Sequence, residues 1–456
     1  MIKISALQCN SKGYSKFTIN RIIFAFIVLV CSKSQAQNAT TAFRLPAEFE
    51  EQQAIWLGWE KEDTSIHHTV AKIIQGIQGK VQVKMVVSSY ELEENAIQFL
   101  SKKGINPDKI NFKVIPGARF WIRDNGAVFL TRDNGTLGAV DFEWNNYGYY
   151  NWLMTKIPEQ EDSIRVLEKR MMTGDYSKLD AKMANSTGTE IIKSKLAIEG
   201  GALETNGKGV LIQCEDVTLQ RNPDWSKSEI EAEYRRLFNI KKIIWLKHGM
   251  ADDAKMRKIQ GKYVSLGTGG HVDEFVRFVN TNTILISWID ETEKDLHPLN
   301  AITYKNMLEN LKILQKAKDQ DGNPLRITKV PVLSVIEWPV TVAKNVSETE
   351  YDKLDIVDFQ PLRNPKIGDK LTRVASVSYL NFLITNGAII NASYLNHGTS
   401  VEKEEKVKAI LKEVFPDREQ IWIDALPVNR LGGGIHCITL HEPLPVKKDI
   451  LKIPTI

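Results

Sequence analysis

The sequence predicts an α/β chain built from a repeated strand–turn–strand unit. Three observations predict it: strand and helix signals alternate, Asn-Gly turns recur between apolar runs, and each turn follows a polar or charged motif.

The alternation comes first. Val81, Val83, Met85 and Val87 fall on every second position, the pattern of a half-buried strand. Ser226 and Glu229 form a capping box that opens a helix with the apolar stripe Ile230, Tyr234 and Leu237, and Ile243-Ile244-Trp245-Leu246 follows as a buried strand. Val407, Ile410, Leu411 and Val414 mark a second amphipathic helix.

The turns come second. Asn134-Gly135 follows Arg123-Asp124, Asn206-Gly207 follows Glu199-Gly200-Gly201, and Asn386-Gly387 follows Tyr379-Leu380-Asn381. A looser version runs from His271 through Asn280-Thr281-Asn282-Thr283 into Ile284-Leu285-Ile286. Asn-Gly suits a tight hairpin in which both turn positions take positive φ. These turns recur about 72, 75 and 105 residues apart, which suggests a propeller-like array bringing several polar motifs to one centre.

Composition narrows the class. A chain of 456 residues with 43% hydrophobic and 25% charged content is ordinary for a folded soluble protein. Lys3, Lys12, Lys16 and Arg21 precede the apolar run Ile22 to Val30, and Ser34-Gln35-Ala36 stands where a signal peptidase would cut. Residues 1–36 therefore read as a cleaved signal peptide, and residues 37–456, which contain no Gly/Ser- or Pro-rich linker, as a single catalytic domain exported to the periplasm or the exterior. A lipid anchor on Cys31 is the alternative, but Val28-Leu29-Val30 lacks the small residues expected before it. The apolar run is about ten residues, short of the roughly twenty a membrane span needs, and no later segment is longer.

Without the leader's five basic residues the chain has 55 basic and 56 acidic residues. No basic run interleaved with aromatics remains, so nucleic acid is not an expected partner. Two cysteines remain, Cys214 and Cys437, which could pair in an oxidising compartment.

The polar motifs carry the chemistry. His271 and Asp273, two apart, would share one side of an extended chain; the bland alternative is a surface pair, and a metal site with Cys437 or His436 is another. In Phe120-Trp121-Ile122-Arg123-Asp124, Trp121 offers a flat face to a planar cation and Asp124 a carboxylate for its N–H groups, unless Arg123 and Asp124 simply pair at a strand start. Glu199 at a tight turn is either a loop charge or the acceptor for a catalytic imidazole. Gly432-Gly433-Gly434 leads through Ile435-His436 to Cys437 at the start of an apolar strand. Three glycines cost backbone entropy and belong where the backbone must approach something closely. Cys437 is then a nucleophile, a buried small hydrophobe or half of a disulfide.

Taken together these stretches resemble the agmatine deiminase and bacterial-type peptidylarginine deiminase family. The likeness runs in order through Leu45-Pro46-Ala47-Glu48-Phe49-Glu50, Trp121-Ile122-Arg123-Asp124, Glu199-Gly200-Gly201, Arg221-Asn222-Pro223, Gly270-His271-Val272-Asp273, Ser378-Tyr379-Leu380-Asn381-Phe382 and Gly432 to Cys437. The resemblance implies a pentein fold, a five-bladed α/β propeller of ββαβ units with a central active site. It implies Cys437 as nucleophile, His271 as general acid/base, Asp124 and Asp273 as guanidinium-binding carboxylates and Glu199 as the acid orienting the histidine. Trp121, Arg123, Asn381, Gly433 and Gly434 would line the substrate pocket. No metal or organic cofactor is required, and a homo-oligomer is compatible with this reading.

The implied partner is a small guanidine or an arginine-containing peptide. Asp141-Phe142-Glu143-Trp144-Asn145-Asn146-Tyr147-Gly148 resembles the aromatic segment of agmatine deiminases and lacks the arginines with which secreted bacterial peptidylarginine enzymes hold a carboxylate, so agmatine is favoured. The leader, the likeness of Gly-His-Val-Asp-Glu-Phe to animal-type peptidylarginine deiminases and a long insertion from about Trp152 to Lys195 favour a peptide. A non-catalytic secreted binding protein and a metallohydrolase are the rival classes. The former would be expected to lack one of the five core residues, and the latter would lose activity to chelators.

Overall fold

The computed structural model describes residues 42–61, 64–254, 259–347, 350, 352–359 and 365–445. Residues 1–36, expected to be a signal peptide, and Cys31 among them, lie outside these. Among the described residues, no helix is long and apolar enough to cross a membrane.

Five sheets follow one plan: an antiparallel pair, then one or more helices, then a strand that returns parallel to the second member of the pair. Val128–Thr131 pairs antiparallel with Leu137–Glu143, and Glu190–Ala197 returns parallel. The same order holds for Glu204–Thr205, Val210–Cys214 and Lys242–Leu246. It holds again for Val276–Phe278, Thr283–Trp288 and Arg326–Pro331, and for Leu383–Thr385, Ala388–Ala392 and Glu419–Ile423. The fifth sheet joins the two ends of the described chain: Thr439–Pro443 pairs antiparallel with Gln52–Trp59, against which Gln82–Val87 lies parallel, with Ile110–Val114 added outside it. A sixth, mixed sheet of five strands, drawn from Ile259–Gln260, Tyr263–Val264, Glu337–Ala343, Lys353–Asp355 and Lys370–Val374, departs from the plan.

The local signals explain these elements. Ser226 and Glu229 make the reciprocal capping box at the start of Lys227–Phe238, whose Ile230, Tyr234, Leu237 and Phe238 are buried. Val407 and Leu411 of Val401–Val414 are buried, and Ser400 caps that helix. Helix Thr64–Ile77 buries Ile66, Val70, Ile73, Ile74 and Ile77, each such side chain contributing roughly 1.5–3 kcal/mol. Its Gly76 lies so close to Ile390 and Ile421 that a Cβ there would sit 2.8 Å from the Ile390 side chain, so this helix also packs on the sheet that contains Ala388–Ala392.

All four predicted hairpins join antiparallel pairs, but their turns work differently from the expectation. Gly135, Gly207 and Gly387 take positive φ whereas Asn134, Asn206 and Asn386 do not. The asparagine side chains bond nearby backbone instead. Asn134 Oδ1 accepts from the Thr136 amide at 3.0 Å, Asn206 Oδ1 from Lys208 and Val210, and Asn280 Oδ1 from Asn282 and Thr283. Asn386 reaches another unit, accepting from the Gln52 amide and donating to the Gln52 carbonyl.

In each unit the polar motif stands immediately before the first strand of the antiparallel pair. Asp124 precedes Val128–Thr131, Glu199 precedes Glu204–Thr205, His271 and Asp273 precede Val276–Phe278, Asn381 precedes Leu383–Thr385 and Cys437 precedes Thr439–Pro443. Repetition of the plan is what lets residues far apart in sequence meet.

Candidate active site

Asp124, Glu199, His271, Asp273, Asn381 and Cys437 are all buried and linked by direct contacts. His271 Nε2 lies 3.1 Å from Glu199 Oε2, and its Nδ1 faces Asp124 Oδ1 at 3.8 Å, too far for a hydrogen bond. Arg221 donates through Nε to both Glu199 oxygens at 3.1 Å and through a terminal nitrogen to the Thr268 carbonyl. Burial works against the Glu199 charge, but Arg221 and His271 outweigh it and hold its carboxyl at about 2. Burial likewise disfavours the His271 imidazolium, yet Glu199 and Asp124 push its pKa up to about 9. Asp124 goes the other way: burial raises it to about 6 although His271 and Tyr147 pull it down.

The sulfur lies on a second set of contacts. Asn381 Nδ2 approaches Cys437 Sγ at 3.3 Å, Glu274 Oε1 lies 3.7 Å from it and Asp273 Oδ2 3.9 Å. Burial, followed by the charges of Asp273, Glu274 and Asp124, pushes the free Cys437 thiol well above its ordinary value, while the Gly434 amide draws it down. A thiol so placed gains its reactive form when a cation arrives.

Three glycines make this approach possible. A Cβ on Gly433 would stand 2.6 Å from the Trp121 ring and 3.0 Å from Cys437 Sγ, and one on Gly201 would stand 2.6 Å from His271 Nδ1 and 2.9 Å from Asp273 Oδ2. Gly434 is likewise pressed against Asn381 Oδ1. Gly433 thus lies between the Trp121 ring and the sulfur.

Several expectations are corrected. Arg123 does not pair with Asp124 and does not face the sulfur. The two residues occupy a short helix, Ile122–Asn125, rather than a strand start, and successive helical side chains diverge by about 100°. Arg123 instead donates to Glu48 at 2.8 Å and to the Thr439 carbonyl at 2.9 Å, which makes it scaffold. His271 and Asp273 are not on an extended strand, since Val272–Glu274 is a 3-10 turn, yet both reach the site. Cys437 lies in a turn before its strand, and Cys214 and Cys437 are both unpaired, so the disulfide alternative is set aside. The acidic members of the aromatic segment, Asp141 and Glu143, stand near Lys193 and Lys195, whereas Tyr147 touches the site by donating to Asp124 Oδ2 at 2.6 Å.

The structure adds roles that the sequence did not assign. His436 bridges Asp273 Oδ2 at 2.6 Å and Glu48 Oε1 at 2.7 Å, and Glu48 also receives Arg277 at 2.5 Å. Asp253 accepts from the Thr268 and Gly270 amides and so fixes the loop that carries His271. Tyr176, from the insertion, packs edge-on against Trp144, which packs against Tyr147 in turn. The signal for Glu48 was a charged residue inside Leu-Pro-Ala-Glu-Phe, a stretch otherwise apolar. Among the described residues, Glu48, His436 and His441 form one group with metal-ligand proximity, and Asp273, Glu274 and Cys437 another. His271 belongs to neither, and Glu48 is already bonded to Arg123 and Arg277.

Three buried polar atoms in this centre have no hydrogen-bond partner: Asp124 Oδ1, His271 Nδ1 and Asp273 Oδ1. Leaving such atoms unpaired costs on the order of 1–3 kcal/mol each, so they point to a ligand. Two carboxylate oxygens call for a cation with several N–H donors, and a planar guanidinium supplies them.

Comparison with known proteins agrees. Residues 44–443 match the sequence model of the Porphyromonas-type peptidyl-arginine deiminase family. The agmatine deiminase of Pseudomonas aeruginosa (strain LESB58) is 28% identical over 429 residues, covering 89% of this chain and 96% of that protein. The agmatine deiminase of Stutzerimonas stutzeri (strain A1501) is 27% identical over 412 residues, covering 88% and 96%. The structure of the Enterococcus faecalis agmatine deiminase superposes with a TM-score of 0.66 at 23% identity, over 90% of this chain and 97% of that one. The substrate-bound agmatine deiminase of C. jejuni superposes with a TM-score of 0.62 at 19% identity, over 89% and 97%. At these identities the two structures speak for the fold.

Proposed function

The chain belongs to the Porphyromonas-type peptidyl-arginine deiminase family, and from that premise we propose that it hydrolyses a guanidinium group through Cys437, with agmatine as substrate and N-carbamoylputrescine and ammonia as products. The observation that carries this reading is the trio of unpartnered atoms, Asp124 Oδ1, His271 Nδ1 and Asp273 Oδ1, gathered near a thiol.

In this mechanism Asp124 and Asp273 accept the guanidinium N–H groups and hold its central carbon over Cys437 Sγ. The thiolate adds to the carbon. His271, kept protonated by Glu199 and Asp124, gives its proton to the departing nitrogen, which leaves as ammonia while the carbon stays on Cys437 sulfur as a cationic thiouronium. The now neutral imidazole takes a proton from water as the hydroxyl adds. Collapse of the second adduct expels the sulfur and frees the ureido product, and ammonia takes up the hydroxyl proton in solution. The chain's own residues, water and the released ammonia supply every group in this sequence, so no cofactor is invoked.

The five sheets that share one plan support reading the fold as a five-bladed pentein propeller around this centre. Relatives named agmatine deiminase and covered over nearly their whole length support agmatine, and the aromatic wall at Trp144 and Tyr147 suits its aliphatic, cationic far end. Export through residues 1–36 remains part of the proposal, and N-terminal sequencing of the mature protein tests it.

The deciding experiment is ammonia release from agmatine, free arginine and arginine-containing peptides in parallel. Agmatine is expected to turn over fastest, and Cys437→Ala to reduce release to background. Faster release from peptides would replace the substrate, and release that survives Cys437→Ala or stops with chelators would end the thiolate mechanism.

A further inference from the structure

Becoming a thiolate requires Cys437 to lose a proton, and the geometry limits where that proton can go. His271 turns its two ring nitrogens toward Glu199 and Asp124, not toward sulfur. Three oxygens lie within reach of Sγ: Asn381 Oδ1 at 3.6 Å, Glu274 Oε1 at 3.7 Å and Asp273 Oδ2 at 3.9 Å. An amide oxygen is no base. Asp273 Oδ2 already takes His436 Nδ1 at 2.6 Å and lies in a carboxyl held below its ordinary range, which makes it a weak proton acceptor. Glu274 is left.

Resting on the deiminase reading above, we propose that Glu274 is a catalytic residue that receives the Cys437 thiol proton in the substrate complex and returns it when sulfur is expelled. The S–H bond breaks, an O–H bond forms on Glu274, and the electron pair left on sulfur makes the bond to the guanidinium carbon. Collapse of the second adduct reverses the transfer. Glu274 is built for this. Ser378 holds its backbone carbonyl at 2.5 Å, and Asn381 Nδ2 fixes its Oε1 at 2.9 Å while also touching Sγ, so one amide sets the positions of both acid and thiol.

Burial, then the neighbouring Asp273, Asp253 and Asp252, give Glu274 a high proton affinity. A guanidinium entering between Asp124 and Asp273 brings a positive charge that offsets this repulsion and favours the Glu274 carboxylate, any proton it carried passing to solvent as substrate binds, so the base is present when a thiolate is needed. The titratable groups facing it are Asp252, Asp253, Asp273, Cys437 and Tyr394.

The test is the pH profile of kcat for agmatine in wild type, Glu274→Gln and Glu274→Asp, with thermal unfolding to confirm folding. In Glu274→Gln, kcat falls about 10²- to 10³-fold while KM changes less than about threefold, and the remaining rate climbs in proportion to hydroxide because solvent must take the proton. Glu274→Asp keeps the wild-type form of the profile at a lower rate. An inert wild type overturns the deiminase reading and this inference with it. An active wild type matched by Glu274→Gln in kcat and profile overturns this inference alone. Should Glu274→Gln fail to fold, loss of the wild-type profile in Glu274→Asp overturns it.

Discussion

Two buried histidines stand in matching surroundings, each ring placed between two carboxylates, and they differ in how closely those carboxylates are drawn in. His436 meets Asp273 at 2.6 Å and Glu48 at 2.7 Å, so both ring nitrogens are satisfied. His271 meets Glu199 at 3.1 Å, but its other nitrogen stands 3.8 Å from Asp124 and has no hydrogen-bond partner. Glu48 is further tied to Arg123, Arg277 and His441, whereas Asp124 keeps one oxygen unpartnered. A saturated imidazole can only hold its neighbours, while one with an unused nitrogen can pass a proton to something that arrives. The same ingredients therefore make scaffold on one side of the site and chemistry on the other.

Breaking the reactive member gives the largest expected effect. His271→Asn keeps a polar side chain but removes the proton donor, and kcat for ammonia release is expected to fall about 10³- to 10⁴-fold. Unfolding stability should change far less than activity. A variant within tenfold of wild type would remove His271 from the acid–base role. In the wild type, kcat/KM should decline above about pH 9, where His271 loses the proton that the leaving nitrogen needs.

Breaking the saturated member should invert that balance. His436→Asn leaves the buried carboxylate of Asp273 and the half-buried one of Glu48 without their shared partner, a loss of roughly 3–5 kcal/mol when one member of a buried ionic network is removed. Activity should fall only about 10- to 100-fold, through misplacement of Asp273. Denaturant melts set beside steady-state kinetics decide it: unchanged stability with abolished turnover would make His436 a chemical participant and erase the contrast.

The contrast was only half legible in the sequence. Asp124, Glu199, His271, Asp273 and Cys437 could be read because each lies in a short motif preceding a strand, and a turn signal follows most of those motifs. His436, beside Cys437, was visible too, but its orientation was not. Whether an imidazole is slack or saturated depends on Glu48, which lies 388 residues away in sequence. Arg123 was misjudged for a related reason: its motif beside Asp124 placed it in the substrate pocket, and only the helical turn sends its side chain away to Glu48 and the Thr439 carbonyl. The alternation of strands and helices was readable locally. The sixth sheet was not, because its pairings include the distant contact of Tyr263–Val264 with Lys370–Val374.

Tyr147 allows the slack side to be adjusted without being broken. Asn146, Tyr147 and Gly148 all take left-handed backbone conformations, with φ of +53°, +56° and +65°, which is costly for the first two. The turn aims the Tyr147 hydroxyl at Asp124 Oδ2, where its hydrogen bond favours the ionised carboxylate against the burial that raises the group to about 6. Tyr147→Phe keeps the ring against Trp144 and removes only that bond, so the proton affinity of Asp124 rises. In the proposed mechanism the guanidinium needs Asp124 ionised, so activity is expected to be lost as pH falls through its pKa. The acid limb of kcat/KM should therefore move upward from about pH 6 by about one unit, the size expected for one hydrogen bond to a charged group. Above the new limb, rates should lie within a few-fold of wild type, the smallest effect of the three. A profile measured from pH 5 to 9 checks it. An acid limb that stays in place would mean that Asp124 does not set it, and the slack would then belong to the imidazole alone.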